Sequence, residues 1–181
     1  SSGKTAVILK TIKALRQRKI EVGVVKFDCL YTDDDEIYAK EEIPVRKGLS
    51  GSLCPDHYFV SNIEEVVQWG REKGLDLLIT ESAGLCNRCS PYIKDIKAVC
   101  VIDNLSGINT PRKIGPMLKT ADIVVITKGD IVSQAEREVF ASRVAASRHL
   151  QVTINKGKCT CPRTYNMTAI SPPPTLHCPF P

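Results

Sequence analysis

The sequence predicts an α/β fold in which a mostly parallel sheet is flanked by helices on both faces. Two observations carry this. Short, near-continuous apolar runs within "IEVGVVKFD", "LDLLITES", "KAVCVIDN" and "ADIVVITKGD" each end in polar residues, the pattern of strands buried on both faces. Segments with helical apolar spacing stand between or after them, and strands alternating with helices give a parallel sheet. At 181 residues the chain has room for one domain with a substantial core.

The elements follow in chain order. From Lys4 to about Arg18, Val7, Ile8, Ile12 and Leu15 recur at helical spacing, and "IEVGVVKFD" is a buried strand that ends in an acid. "DDDEIYAKEEIPV" reads as a short helix and an extended piece. "SNIEEVVQWGREKG" is a helix capped by Ser61 or Asn62, stopped by Gly74, with Trp69 on its core side. Three strands then follow at "LDLLITES", "KAVCVIDN" and "ADIVVITKGD", the last leading into the helix "AEREVFASRVAASR" and a further strand, "LQVTIN". Residues 1–157 form the expected domain, and the Pro- and Cys-rich stretch 158–181 lacks apolar periodicity, so an irregular tail is expected there. Open parallel sheets bind ligands beyond the carboxyl ends of their strands, which gathers Asp28, Glu81, Asp103 and Asp130 at one edge.

Composition narrows the partners. The net charge of +5 is spread between acidic "DDDE" and basic "RQRK" rather than drawn into a basic stripe, so no nucleic-acid partner is expected. No apolar run approaches the ~20 residues of a membrane span and no secretory signal is evident. The eight cysteines do not form a short loop-rich framework, which favours ligands or buried thiols over disulfides and a cytoplasmic location.

Three motifs carry chemistry. "SSGKT" contains Gly3, Lys4 and Thr5, the tail of G-x-x-x-x-G-K-[ST] ahead of a helix. In such a loop backbone N–H groups and the helix N-terminus cradle phosphate, the Lys neutralises it and the hydroxyl ligates Mg²⁺. The first Gly of that pattern would precede residue 1, so the expectation is a domain truncated at its N-terminus, with its first strand missing. "VVITKGD" places Thr127, Lys128 and Asp130 after a strand, where a carboxylate can accept both hydrogens of the guanine N1–H and N2–H₂ edge and the Lys stem can lie along the base. "ITESAGL" ends a strand at Glu81 and puts Gly84 three residues later, suited to organising Mg²⁺ and meeting a γ-phosphate.

In this order the motifs resemble those of the SIMIBI-class CobW/HypB/UreG group of metal-inserting P-loop GTPases, in which Glu in the third motif is a hallmark. The resemblance runs from Ser1 to about Arg148 and is closest to the hydrogenase and urease nickel-insertion GTPases. It implies a three-layer P-loop NTPase fold, GTP and Mg²⁺ as cofactors, and slow hydrolysis, since no arginine finger or glutamine is visible. On that resemblance "FDCLYTDDDEIY" matches the segment after the second strand, making Asp28 a candidate to coordinate Mg²⁺ or position water and Thr32 a switch residue. Lys4, Asp28 and Glu81 would then be the catalytic set.

The same resemblance implies a transition-metal cargo. "LCPDHYF" lies where the relatives carry Cys-Pro-His or Cys-His, and Cys54 with His57 would supply a thiolate and an imidazole for Ni²⁺ or Zn²⁺. In the family a two-fold homodimer completes such a site. Asp56 departs from the family spacing. From chemistry alone, Cys86 and Cys89 in "GLCNRCSPY" can share a metal or form a redox disulfide. They could also complete a four-ligand site with Cys54 and His57 inside one chain. Cys100 reads as a core residue and Cys29, at a strand end, as a partly buried thiol or a further ligand, while Cys159, Cys161, His177 and Cys178 could bind metal by composition alone. The implied partner is a client metalloenzyme or its accessory proteins. Two other readings stay open: an ATP-using nickel-insertion relative, and a metal storage or sensing module that binds nucleotide without productive hydrolysis. "TINKGKCTCPR" lacks the "TGxG" loop that touches the base in relatives, which would weaken guanine binding.

Overall fold

The computed structural model describes residues 2–82, 91–147 and 152–154, the last stretch by its backbone only. The expected α/β architecture with parallel strands flanked by helices is present. Helix α1 (Lys4–Arg16) leads into β1 (Val22–Asp28), followed by α2 (Asp34–Lys40), β2 (Val45–Leu49), α3 (Pro55–Ser61), α4 (Ile63–Glu72) and β3 (Leu77–Ser82). The second half runs β4 (Val99–Asp103), a short 3₁₀ turn, α5 (Thr110–Lys113), α6 (Pro116–Thr120), β5 (Ile123–Thr127), α7 (Gln134–Ser147) and β6 (Val152–Ile154). The expected tail from residue 158 lies outside the described residues.

The strands form two three-stranded parallel sheets, ordered β2-β1-β3 and β4-β5-β6. β3 and β4 are the facing edges. Between them lies a cavity of about 700 Å³, walled by Leu77 and Ile79 of β3, Val99 and Val101 of β4, and Val7 and Ile8 of α1. Without a ladder partner on that side among the described residues, Leu77 and Val99 are 41% and 52% exposed, whereas Val22 and Val24 of the doubly paired β1 are 1% and 0%. Cys100, expected in the core, is half-buried beside the cavity for the same reason.

The two-residue period of β1 sorts its side chains to opposite faces. Val22 and Val24 pack with Ile12, Tyr38 and Ile43, on the face covered by α1 and α2. Val25 and Phe27 pack with Phe59 and Val66 on the other face, with Trp69 against them as expected. The second sheet has its own cluster of Ile102, Leu118, Val124, Ile126, Phe140 and Val144. Helix α4 stops at Gly74, whose φ of 65° suits a residue without a Cβ. Asn62 caps α4 in position but donates its side-chain amide to the Tyr58 carbonyl rather than to the helix.

Candidate functional site

The carboxyl ends of β1, β3, β4 and β5 carry the candidate residues. Gly3 is the N-cap of α1 with φ 82°, a left-handed conformation that glycine adopts without the steric cost of a Cβ. The turn is fastened on two sides. Thr127 donates its hydroxyl to the Ser2 carbonyl at 2.7 Å, and Thr5 donates its own to Glu81 Oε1 at 3.3 Å. Thus the residues of two separate motifs, Gly3-Lys4-Thr5 and Thr127, meet at the start of α1.

Glu81 is the centre of the arrangement. Its side chain is 2% exposed and accepts from Thr5, from the Tyr38 phenol at 2.7 Å and from the Lys26 ammonium at 3.1 Å. Lys26 and Glu81 are direct register partners across β1 and β3, and Lys26 and Lys47 are partners across β1 and β2. A row of Lys47, Lys26 and Glu81 therefore crosses the sheet on the face beneath α2. The first residues of that helix neutralise it: Asp34 binds Lys26 and Asp35 binds Lys47, each at 2.7 Å. Lys26 shares its face with Val22 and Val24, so burial works to lower its ammonium pKa. The Asp34 hydrogen bond and the charge and bond of Glu81 together outweigh this, and the net shift is upward.

Tyr38 is fully buried, and its pKa is raised first by that burial and then by the Glu81 bond and charge. The folded state thus keeps the phenol protonated where an unfolded tyrosine would ionise. This stabilisation is complete below pH 10 and is lost as the pH rises above it. Tyr38→Phe is expected to cost about 1–3 kcal/mol at pH 8 and to flatten part of the alkaline loss, as measured by urea unfolding across pH 8 to 11.

The remaining candidates are placed as follows. Asp28 is half-buried at the end of β1 and accepts the Cys29 backbone N–H at 2.8 Å, with Cys29 half-buried beside it. Thr32 is buried, and its hydroxyl accepts from the Asp34 N–H at 3.2 Å. Lys128 pairs with Asp103 Oδ2 at 2.5 Å, while Asp130 is exposed in the turn beyond. Cys54 is the half-buried N-cap of α3 and His57 is exposed in its first turn. Asp56 turns inward from that helix: it accepts a hydrogen bond from Ser82 at the end of β3, and its Oδ2 has no partner among the described residues. Gly84, Cys86 and Cys89 lie outside the described residues, as do Cys159, Cys161, His177 and Cys178. Among the described residues no group of three or more His, Cys, Asp or Glu side chains is arranged to hold a metal ion. No helix among them is long and apolar enough to cross a membrane.

Sequence reasoning missed Lys26, Asp34 and Tyr38. The signal was a lone Lys inside the apolar run "VGVVKFD", a position that only a buried counter-charge makes tolerable. The oxygen donors around Thr5 and Glu81 fit a hard divalent ion such as Mg²⁺, which is held by one or two carboxylates, phosphate oxygens and water.

Comparison with known proteins gives a consistent set of likenesses. A family model described as the CobW/HypB/UreG nucleotide-binding domain matches residues 1–155. An uncharacterized protein of Methanocaldococcus jannaschii is 59% identical over 143 residues, covering 79% of this chain and 61% of the relative. Urease accessory protein UreG 2 of Bradyrhizobium sp. is 33% identical over 141 residues, covering 72% of this chain and 65% of that protein. The chain thus spans under two thirds of the length of these curated relatives. In fold it resembles the crystal structure of hydrogenase maturation factor HypB from Archaeoglobus fulgidus, with a TM-score of 0.64 at 18% identity over 85% of this chain and 75% of that one.

Proposed function

The chain belongs to the CobW/HypB/UreG nucleotide-binding domain family, and from that premise we propose that it is a GTP-hydrolysing metallochaperone domain. In this reading nucleotide state is coupled to the binding and release of a transition metal, Ni²⁺ or Zn²⁺, destined for a metalloenzyme or its accessory proteins. The observation that carries it is the meeting of Gly3-Lys4-Thr5, Glu81 and Thr127 at the start of α1 through the Thr5–Glu81 and Thr127–Ser2 hydrogen bonds. Gly3 and the N-terminus of α1 would receive phosphate, with Lys4 neutralising it. Thr5, Asp28 and Glu81 would hold Mg²⁺ and its water, and the ion would supply charge neutralisation of the phosphates. Gly84 would meet the terminal phosphate.

Thr127, Lys128 and Asp130 would face the base. The exposed Asp130 carboxylate suits the guanine edge, and Lys128 is anchored by Asp103. Cys54 and His57, with Cys86 and Cys89, are the donors proposed for the metal, either within one chain or across a homodimer. Their softness suits Ni²⁺ or Zn²⁺.

The test is a nucleotide titration with wild type and Asp130→Ala, followed by phosphate release with and without Ni²⁺ or Zn²⁺. Wild type is expected to prefer GTP over ATP, and Asp130→Ala to lose about tenfold or more in GTP affinity with ATP unaffected. Hydrolysis is expected to be slow and to change with metal. A preference for ATP indifferent to Asp130 would favour the ATP-using relative, and turnover indifferent to metal would favour a storage or sensing module.

A further inference from the structure

The Lys47–Lys26–Glu81 row is not accounted for by nucleotide binding alone. Glu81 has two carboxylate oxygens, and both are taken: Oε1 by Lys26 and Thr5, Oε2 by Tyr38. Two of these donors are neutral hydroxyls, which orient the carboxylate without cancelling its charge. The third is a cation whose side chain is 4% exposed, held from the other side by Asp34 at 2.7 Å. Packed around Lys26 are thus Asp34 of α2 and Glu81 of β3, with Lys47 of β2 beside it and itself held by Asp35. A Lys at this depth is expensive unless paired, and the pairing it has chosen is the carboxylate that faces the phosphate loop.

We propose that Lys26 is an internal counter-cation of Glu81 and thereby a positioning residue that sets the divalent-ion affinity of the site. In the nucleotide-free protein its ammonium, shared with Asp34, occupies Oε1 of Glu81, the oxygen that also accepts from Thr5, and so disfavours a second cation beside that oxygen. Nucleotide phosphates add the negative charge that makes a divalent ion and Lys26 compatible. In a protein that handles transition metals, this keeps the cargo off the oxygen-donor site until nucleotide arrives. The inference rests on the nucleotide-site reading above, and goes beyond it by naming the group that gates the ion.

The test is Mn²⁺ binding to the whole chain at pH 8, followed by electron paramagnetic resonance with and without saturating GDP. The variants are Lys26→Met, Lys26→Gln, Lys26→Arg and Lys47→Met, with circular dichroism to confirm folding. Lys26→Met is expected to tighten nucleotide-free Mn²⁺ binding by about tenfold or more, with Lys26→Gln moving the same way and Lys26→Arg staying near wild type. Lys47→Met removes the same charge one strand further from Glu81 and is expected to change affinity by less than about threefold. The gain in Lys26→Met is expected to shrink when GDP is bound.

Equal or weaker Mn²⁺ binding in both neutral Lys26 variants would overturn the inference. So would an equal gain in Lys47→Met, which would reduce the effect to net charge. If Mn²⁺ and GDP bind to neither wild type nor variants, the nucleotide-site reading falls along with it. GDP binding that persists with Mn²⁺ affinity indifferent to Lys26 overturns only the inference.

Discussion

Glu81→Ala is expected to destabilise the fold by about 3 kcal/mol or more, a large fraction of the roughly 5–15 kcal/mol that holds a domain together. The substitution removes a small amount of packing, and its main effect is on what remains. Lys26 keeps Asp34 but loses Glu81, the more buried of its carboxylate partners among the described residues. Tyr38, fully buried, loses the acceptor of its hydroxyl. Leaving a buried charge and a buried donor half-satisfied costs more than the intact interactions contribute. Glu81→Gln keeps an acceptor for Tyr38 and Thr5 and is expected to cost less. Denaturant unfolding of both variants at pH 7 checks the order; Glu81→Ala no more costly than Glu81→Gln would contradict it.

Lys4→Ala is expected to weaken nucleotide affinity on the order of 100-fold while leaving unfolding free energy within about 0.5 kcal/mol of wild type. Lys4 is the first residue of α1, beyond the N-cap Gly3, and no part of it belongs to the buried clusters. Charge-assisted bonds to phosphate are roughly twice as strong as neutral ones, so losing two of them accounts for the expected factor. Isothermal titration with GDP, together with denaturant unfolding of the same preparation, separates the binding effect from a folding effect. A variant that binds GDP as tightly as wild type would remove Lys4 from the proposed site.

These two residues also show what was legible in the sequence. Lys4 stands in a contiguous motif, and the strands and helices around it follow from apolar period and stop signals such as Gly74. Glu81 was legible as a strand-end acid, but its company was not. Lys26, Asp34 and Tyr38 come from β1 and α2, and only the registers Lys26↔Glu81 and Lys26↔Lys47 bring the charges into one row. Register is a property of two strands together, so no single segment reveals it.

Asp56 illustrates the same limit locally. Read along the chain it interrupts a Cys-Pro-His spacing, yet the first turn of α3 sends it inward to Ser82 and leaves His57 exposed. Strand order was likewise hidden, because apolar runs declare that strands are buried and not which of them pair.

Among the described residues the two sheets share no ladder, and their apolar clusters share no residue. A nucleotide that touched Gly3, Thr5 and Glu81 on one side and Thr127 to Asp130 on the other would act as a ligament. Its binding free energy would then appear as exchange protection shared by both halves.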